Sequence, residues 1–126
     1  MSTISEPRTV VRLHHLQLAT HQPVELLDIT ESVAAVVRQA RVREGFAHVF
    51  VRHTTAAVRI QEREPLLLDD LRRFLARLAP ADDTYGHNDF RVRTHHMHPD
   101  ERPNGHAHCQ GLLLSSSVTL NILHGE

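Results

Sequence analysis

An α+β fold is predicted, a single compact domain of mixed or antiparallel β-sheet with two main helices. Two stretches carry apolar residues at helical spacing. Several short runs alternate or are rich in β-formers. The two kinds of segment interleave along the chain rather than repeating as regular β–α units. At 126 residues the chain has the size of one domain, taken as residues 1–126 with 1–7 as a loose lead-in. A domain of that length buries roughly two-thirds of its unfolded surface.

Taken in order, Arg8 to Leu18 tends to alternate, with Val10, Arg12, His14, Leu16 and Leu18 on one face and Val11, Leu13, His15 and Gln17 on the other. This reads as a strand with two mixed faces, bulged at His14-His15. Asp28 or Thr30 caps a first helix, whose stripe is Ile29, Val33, Val36, Val37 and Ala40. Gly45 is the expected helix stop. Phe46 to Arg52 reads as a central strand and Ala56 to Gln61 as the next. Pro65 opens a second helix with Leu67, Leu71, Phe74, Leu75 and Leu78 on one face. Asp69 and Arg73 are spaced for an i, i+4 ion pair, and Pro80 stops the helix. Residues 81–103 are polar and aperiodic, a loop of a length that is usually functional or disordered. Asn104 to Leu114 reads as a short helix capped by Asn104. Ser117 to Leu123 alternates as a last strand.

Composition narrows the function classes. Net charge is −1 with histidine neutral and aromatics are 4%, which argues against nucleic acid and anionic lipid as partners. No run approaches the ~20 apolar residues of a membrane span. The first seven residues lack the layout of a signal peptide, and one cysteine, Cys109, permits no disulfide within the chain. A cytoplasmic protein is expected. All 14 basic residues are arginine, so any anion contact from a basic side chain is a guanidinium fork, and Schiff-base chemistry on lysine is excluded.

Histidine is the informative residue: of 12, seven fall after residue 86. Neutral imidazole is the commonest metal ligand. On a helix, His106 and His108 diverge by about 200°, so one of them, with His53 and His87, makes the more plausible set. Three imidazoles from three segments leave a fourth position open, as in catalytic zinc sites. Glu62 or Asp70 can orient a ligand or act as general base. His95, His96 and His98 flank Met97 and read as solvated loop histidines, with a second, softer site as the alternative. Arg52, Arg59 and Arg63 bracket the His53 segment, and Ser115, Ser116 and Ser117 offer donors at a turn. Arg59, Ser116 and Ser117 are the candidates for holding a phosphate. A solvated arginine face and a polar turn are the plain alternative. No glycine-rich phosphate loop or nucleophile elbow is present.

His53-Thr54-Thr55-Ala56-Ala57-Val58-Arg59-Ile60-Gln61-Glu62, Asp70, Tyr85-Gly86-His87-Asn88, Pro103-Asn104-Gly105-His106-Ala107-His108 and Ser116-Ser117-Val118 follow one another in order. In this the chain resembles the YjbQ-like family, also called the secondary thiamine-phosphate synthase enzyme family, from about Val10 to Gly125. The resemblance implies a compact α+β fold, a homotrimer, a site near the subunit boundary and weak thiamine-phosphate synthase activity in some members. It marks His53, His87 and His108 as the metal or active-site set. The family's Asn-Glu pair stands here as Gln61-Glu62, and its glycine before Ser-Ser as Ser115. Members continue past the glycine matching Gly125 with a Leu-x-Leu-Gly-x-Trp-Gln strand and at least one more. The expectation is therefore a YjbQ-like fold lacking the family's last C-terminal strands, with a bare edge near Leu123.

Two functions follow. One is a thiamine-phosphate synthase-like transferase, in which arginines bind phosphates and a divalent ion offsets charge. Imidazole favours Zn²⁺, whereas pyrophosphate chemistry usually employs Mg²⁺. The other is a non-catalytic, metal-binding or ligand-sensing homotrimer. A small phosphorylated molecule is the expected partner besides the chain itself.

Overall fold

A computed structural model describes residues 8–126, in which the elements run α1 (Thr30–Ala40), β1 (Gly45–Phe50), α2 (Pro65–Leu78), a 3₁₀ turn (Gly86–Asn88), α3 (Gly105–Gly111) and β2 (Ser117–Ile122). The loose lead-in expected over 1–7 lies outside the described residues. The α+β class holds, with three helices and one antiparallel pair of strands among the described residues.

Neither expected cap occupies the N-cap of α1, which is Ile29 with no side-chain cap bond, but Asp28 one residue earlier accepts a hydrogen bond from the Thr30 backbone N–H at 2.9 Å. Arg63 Nη1 lies 3.2 Å from the same carboxylate, which ties the start of α1 to the segment before α2. The stripe read from the sequence buries Val37 and half-buries Val33, Val36 and Ala40. The helix stop is not Gly45. Arg41 takes the left-handed conformation at φ 54°, and Gly45 is the first residue of β1. The chain had to reverse within four residues of the last helical one, before any glycine was available.

In α2, Pro65 occupies the first turn as expected, where its missing N–H costs nothing. The cap is Glu64, whose carboxylate accepts from the N–H groups of Leu66 at 3.0 Å and Leu67 at 2.8 Å. The expected Asp69–Arg73 pair is replaced by two i, i+3 pairs, Asp69–Arg72 and Asp70–Arg73. Each acid has an arginine one residue nearer, and three-residue spacing also brings side chains together on a helix. At the far end, the Gln110 amide of α3 donates to the carbonyls of Leu75 and Ala79 at 3.0 and 3.1 Å. Ala79 O is among the carbonyls a helix C-terminus leaves without partners, whereas Leu75 O also accepts from Ala79 N at 3.1 Å. Gln110 is 6% exposed, so its fixed amide docks α3 on the end of α2.

Strands β1 and β2 pair from Gly45↔Ile122 to Phe50↔Ser117. Ala47 and Val49 of β1 point inward, opposite Leu120 and Val118, while Phe46, His48 and Phe50 point outward and are exposed. The run predicted as a central strand is thus half of a two-stranded sheet among the described residues.

Two predicted strands do not form. Residues 8–18 have no strand assignment and are exposed throughout. Their alternation puts charged or imidazole side chains on both faces, so neither face gains by burial. Residues 56–61 are also irregular. Val58 is buried and its N–H donates to Ser115 O at 2.9 Å, but that is one bond rather than a ladder. The buried apolar core is small: Val37, Val58, Ala79 and Ile122.

Because Glu64 serves two N–H groups at once, Glu64→Ala is expected to destabilise the fold by on the order of 1 kcal/mol. Urea unfolding checks this, and Glu64→Asp should restore part of the loss.

Candidate functional site

The polar loop after α2 gains its order from three local devices. Tyr85 donates its hydroxyl to Pro80 O at 2.8 Å, which fixes the chain entering the 3₁₀ turn. Asn88, at the end of that turn, accepts with Oδ1 from the N–H groups of Asn104 at 3.1 Å and Gly105 at 2.9 Å. Asn88 therefore caps α3 from outside. The expected cap, Asn104, makes no side-chain cap bond, and its Oδ1 is buried with no hydrogen-bond partner among the described residues. At Gly105, an added Cβ would lie 2.6 Å from Tyr85 Cβ, inside contact distance, so only glycine lets α3 begin this close to the loop.

This docking brings His87 of the 3₁₀ turn against His108 of α3. Their ring centroids are 4.7 Å apart and the planes meet at 75°. Behind them stands Glu101, with Oε1 3.8 Å from His87 Nε2, too long for a hydrogen bond. His87 Nε2 is buried and has no partner among the described residues. Glu101 and Arg93 form an ion pair at 2.5 and 3.1 Å with side chains 10% and 13% exposed.

The electrostatics follow from that packing. Burial lowers the affinity of His108 for a proton, and the neighbouring His87 and Arg93 lower it further, while Glu101 opposes them. His108 is therefore neutral at pH 7, the form that ligates metals or accepts protons. Hydrogen bonds from Arg93 hold the Glu101 carboxyl below its ordinary value near 4.5, against the effect of burial.

Of the residues singled out in the sequence, His87 and His108 come together. His53 does not join them in a ligand set. Its side chain is exposed at the head of the Thr54-Thr55 turn. That turn packs on the C-terminal end of α3, where a Cβ on Gly111 would meet Thr54 O at 3.0 Å. Among the described residues no group of three or more His, Cys, Asp or Glu side chains is arranged to hold a metal ion. Ser116 and Ser117 lie beside the His53 segment: Ser116 O accepts from Val51 N at 2.8 Å and Ser115 O from Val58 N. Arg59, immediately after Val58, is exposed. Glu62 is exposed, with its backbone N–H bonded to Gln61 Oε1. Asp70 is exposed on α2 and paired with Arg73. Neither carboxylate is a hydrogen-bond or ion-pair partner of His87 or His108 among the described residues. Reading by sequence missed Glu101, Arg93 and the capping role of Asn88. Asn88 stood inside a recognised motif. Glu101 and Arg93 stood in an aperiodic loop that offers no pattern to mark them.

Known proteins bear on this chain in three ways. The profile described as "UPF0047 protein YjbQ-like" matches residues 14–126. A "UPF0047 protein" of Methanothermobacter thermautotrophicus is 35% identical over 116 residues, covering 92% of this chain and 73% of the relative. One from Synechocystis sp. is 32% identical over 124 residues, covering 98% and 78%. Among solved structures, an uncharacterised conserved protein of the same family from Clostridium acetobutylicum superposes with a TM-score of 0.71 at 30% identity, covering 86% of this chain and 75% of that one. A protein of unknown function from Sulfolobus solfataricus gives 0.73 at 25% identity, covering 86% and 71%.

Two outcomes follow from the site's packing. Gly105→Ala should separate α3 from Tyr85 and break the Asn88 cap, and Asn88→Ala should leave two N–H groups without their acceptor. A loss of about 1–3 kcal/mol is expected for the asparagine, read by chemical denaturation. For pH, the unfolded chain binds more protons than the folded one at both Glu101 and His108, because both folded values are depressed. The stability they contribute is present above their ordinary values and is lost as pH falls through the folded ones. Denaturation from pH ~7.5 down to ~3 should show both losses. Glu101→Gln should flatten the part below about pH 4.5 and enlarge the histidine part, because the carboxylate that opposes the depression at His108 is gone.

Proposed function

The chain belongs to the UPF0047 YjbQ-like family, and we propose that it is a metal-dependent enzyme of the thiamine-phosphate synthase type acting on a small phosphorylated molecule. One observation carries this reading: two imidazoles from separate elements meet edge to face, and one presents a buried nitrogen without a protein partner. Buried polar atoms rarely go unpaired, and a ligand would satisfy this one.

His87 and His108 are the proposed nucleus of the metal site. Two imidazoles suit Zn²⁺ or another transition ion better than Mg²⁺, with Mg²⁺ the alternative if pyrophosphate is the leaving group. A bound ion would supply charge stabilisation at a phosphoryl oxygen. The residues fit such an ion as a partial set, with neutral His108 ready to ligate and Glu101 a carboxylate behind His87. His53 is the third candidate ligand, from the turn beside the end of α3. Arg59, Ser116 and Ser117 are the proposed phosphate contacts. Their support is that the serine turn is hydrogen-bonded to the segments on either side of His53. Glu62 and Asp70 remain proposed proton-transfer groups, to which a second subunit or bound substrate would have to bring the reaction. Self-association as a homotrimer is part of the proposal. Its support is the exposure of Phe46 at 75%, Leu13 at 82% and Leu112 at 85%.

Plasma mass spectrometry on chelator-free protein tests the site. About one Zn²⁺ or similar ion per chain is expected in the native protein, and none in a folded His87→Ala/His108→Ala variant. His53→Ala then separates two versions of the set. Loss of the ion makes the site three-histidine, and retention leaves it to two histidines completed by water and substrate. Native protein that holds no ion even after reconstitution would sink the metal reading. Thiamine phosphate formed from the pyrimidine pyrophosphate and thiazole phosphate, and abolished by the double variant, would establish the reaction. Metal bound without turnover would instead favour the sensing trimer.

A further inference from the structure

Arg93 sits at the centre of the polar loop, and its contacts account for every donor it has. Nε donates to His95 O at 3.3 Å. Nη1 donates to His87 O at 3.2 Å and to Glu101 Oε1 at 2.5 Å. Nη2 donates to His96 O at 2.8 Å and to Glu101 Oε2 at 3.1 Å. A guanidinium has five N–H groups in a rigid plane, and all five are engaged. Three go to backbone carbonyls of histidines, and two form a fork on one carboxylate.

Two details give this arrangement a function beyond general stability. His96 is in the left-handed conformation at φ 53°, which is unfavourable for a residue with a Cβ. That conformation is part of the turn whose carbonyls accept from Arg93. And the side chain is 13% exposed, so the plane cannot swing into solvent without giving up all its partners together. The carbonyl of His87 and the carboxylate beside its ring are therefore fixed by one rigid group.

We infer that Arg93 is a positioning residue, setting the His87 ring against His108 by holding the His87 carbonyl and Glu101 in one plane. The inference rests on the reading of His87 and His108 as the working pair. Lysine cannot substitute, because an ammonium has three donors and no fork.

The test compares the full chain with Arg93→Lys and Arg93→Met. Two readouts are taken: Co²⁺ titration followed by visible absorption, and nuclear Overhauser contacts between the His87 and His108 rings in metal-free protein. Both variants are expected to unfold cooperatively, to lose the ring contacts and to bind Co²⁺ at least about tenfold more weakly, with lysine giving no rescue. Ring contacts and Co²⁺ affinity unchanged in either variant would overturn the inference. If the native protein shows the ring contacts but binds no Co²⁺, the metal reading fails. The contacts in the variants still decide the role of Arg93, with loss supporting it and retention overturning it. Should both Arg93 variants fail to fold, Glu101→Gln decides. It removes the charged half of the fork and leaves the three carbonyl bonds in place, so the ring contacts should weaken, and contacts identical to those of the native protein would overturn the inference.

Discussion

The approach of α3 to the loop before it is the constraint on which the site depends. Backbone can come this near to Tyr85 only where a residue has no Cβ, and Gly105 is that residue. The approach is made specific by Asn88, whose one carbonyl oxygen receives two N–H groups of the incoming helix. Without the first, the second cannot form. Without both, His108 is not delivered to His87. A short helix of seven residues has little intrinsic stability, so its place is set by these contacts and by Gln110 on the end of α2. The site is thus built on a helix that is itself held by side chains rather than by a large apolar core.

Electrostatics in this loop take a form that the composition dictates. With no lysine in the chain, the half-buried cation of this loop is a planar fork. A lone buried carboxylate would carry a large desolvation cost, and the fork offsets it with two hydrogen bonds. The same fork reaches three carbonyls, so one group handles both charge and backbone polarity in a segment without regular structure. Residues 86–101, outside any helix or strand apart from the Gly86–Asn88 turn, are thereby tied together by polar contacts.

Much of the fold could be read from the sequence where periodicity was strong. The α1 stripe around Val37 and the α2 stripe after Pro65 gave both main helices, and the alternation after Ser117 gave β2. Reading failed where alternation lacked a consistent face, as over 8–18, and where a short alternating stretch found one backbone bond in place of a ladder, as over 56–61. Caps were misjudged for a different reason. Gly45 and Asn104 have the right chemistry, but the chain used Arg41 and the distant Asn88, choices set by tertiary position. At the candidate site, the meeting of His87 with one histidine of the His106–His108 pair was legible from motif and spacing, and the family resemblance pointed to His108. Arg93 and Glu101 were not, because an aperiodic loop gives no local sign of which charges will meet.

The contacts that shape the loop are nested. Arg93 and Glu101 are separated by eight residues, Asn88 and Asn104 by 16. Closing a loop costs entropy that rises slowly with length, by about 0.6 kcal/mol per doubling. The inner closure is the cheaper one to make first, and once made it shortens the free chain that the outer one must still span. Assembly of the loop can thus proceed outward like a zip from its arginine, each fastening lowering the entropy left for the next. On that order the imidazole pair, which lies outside both closures, would meet after them.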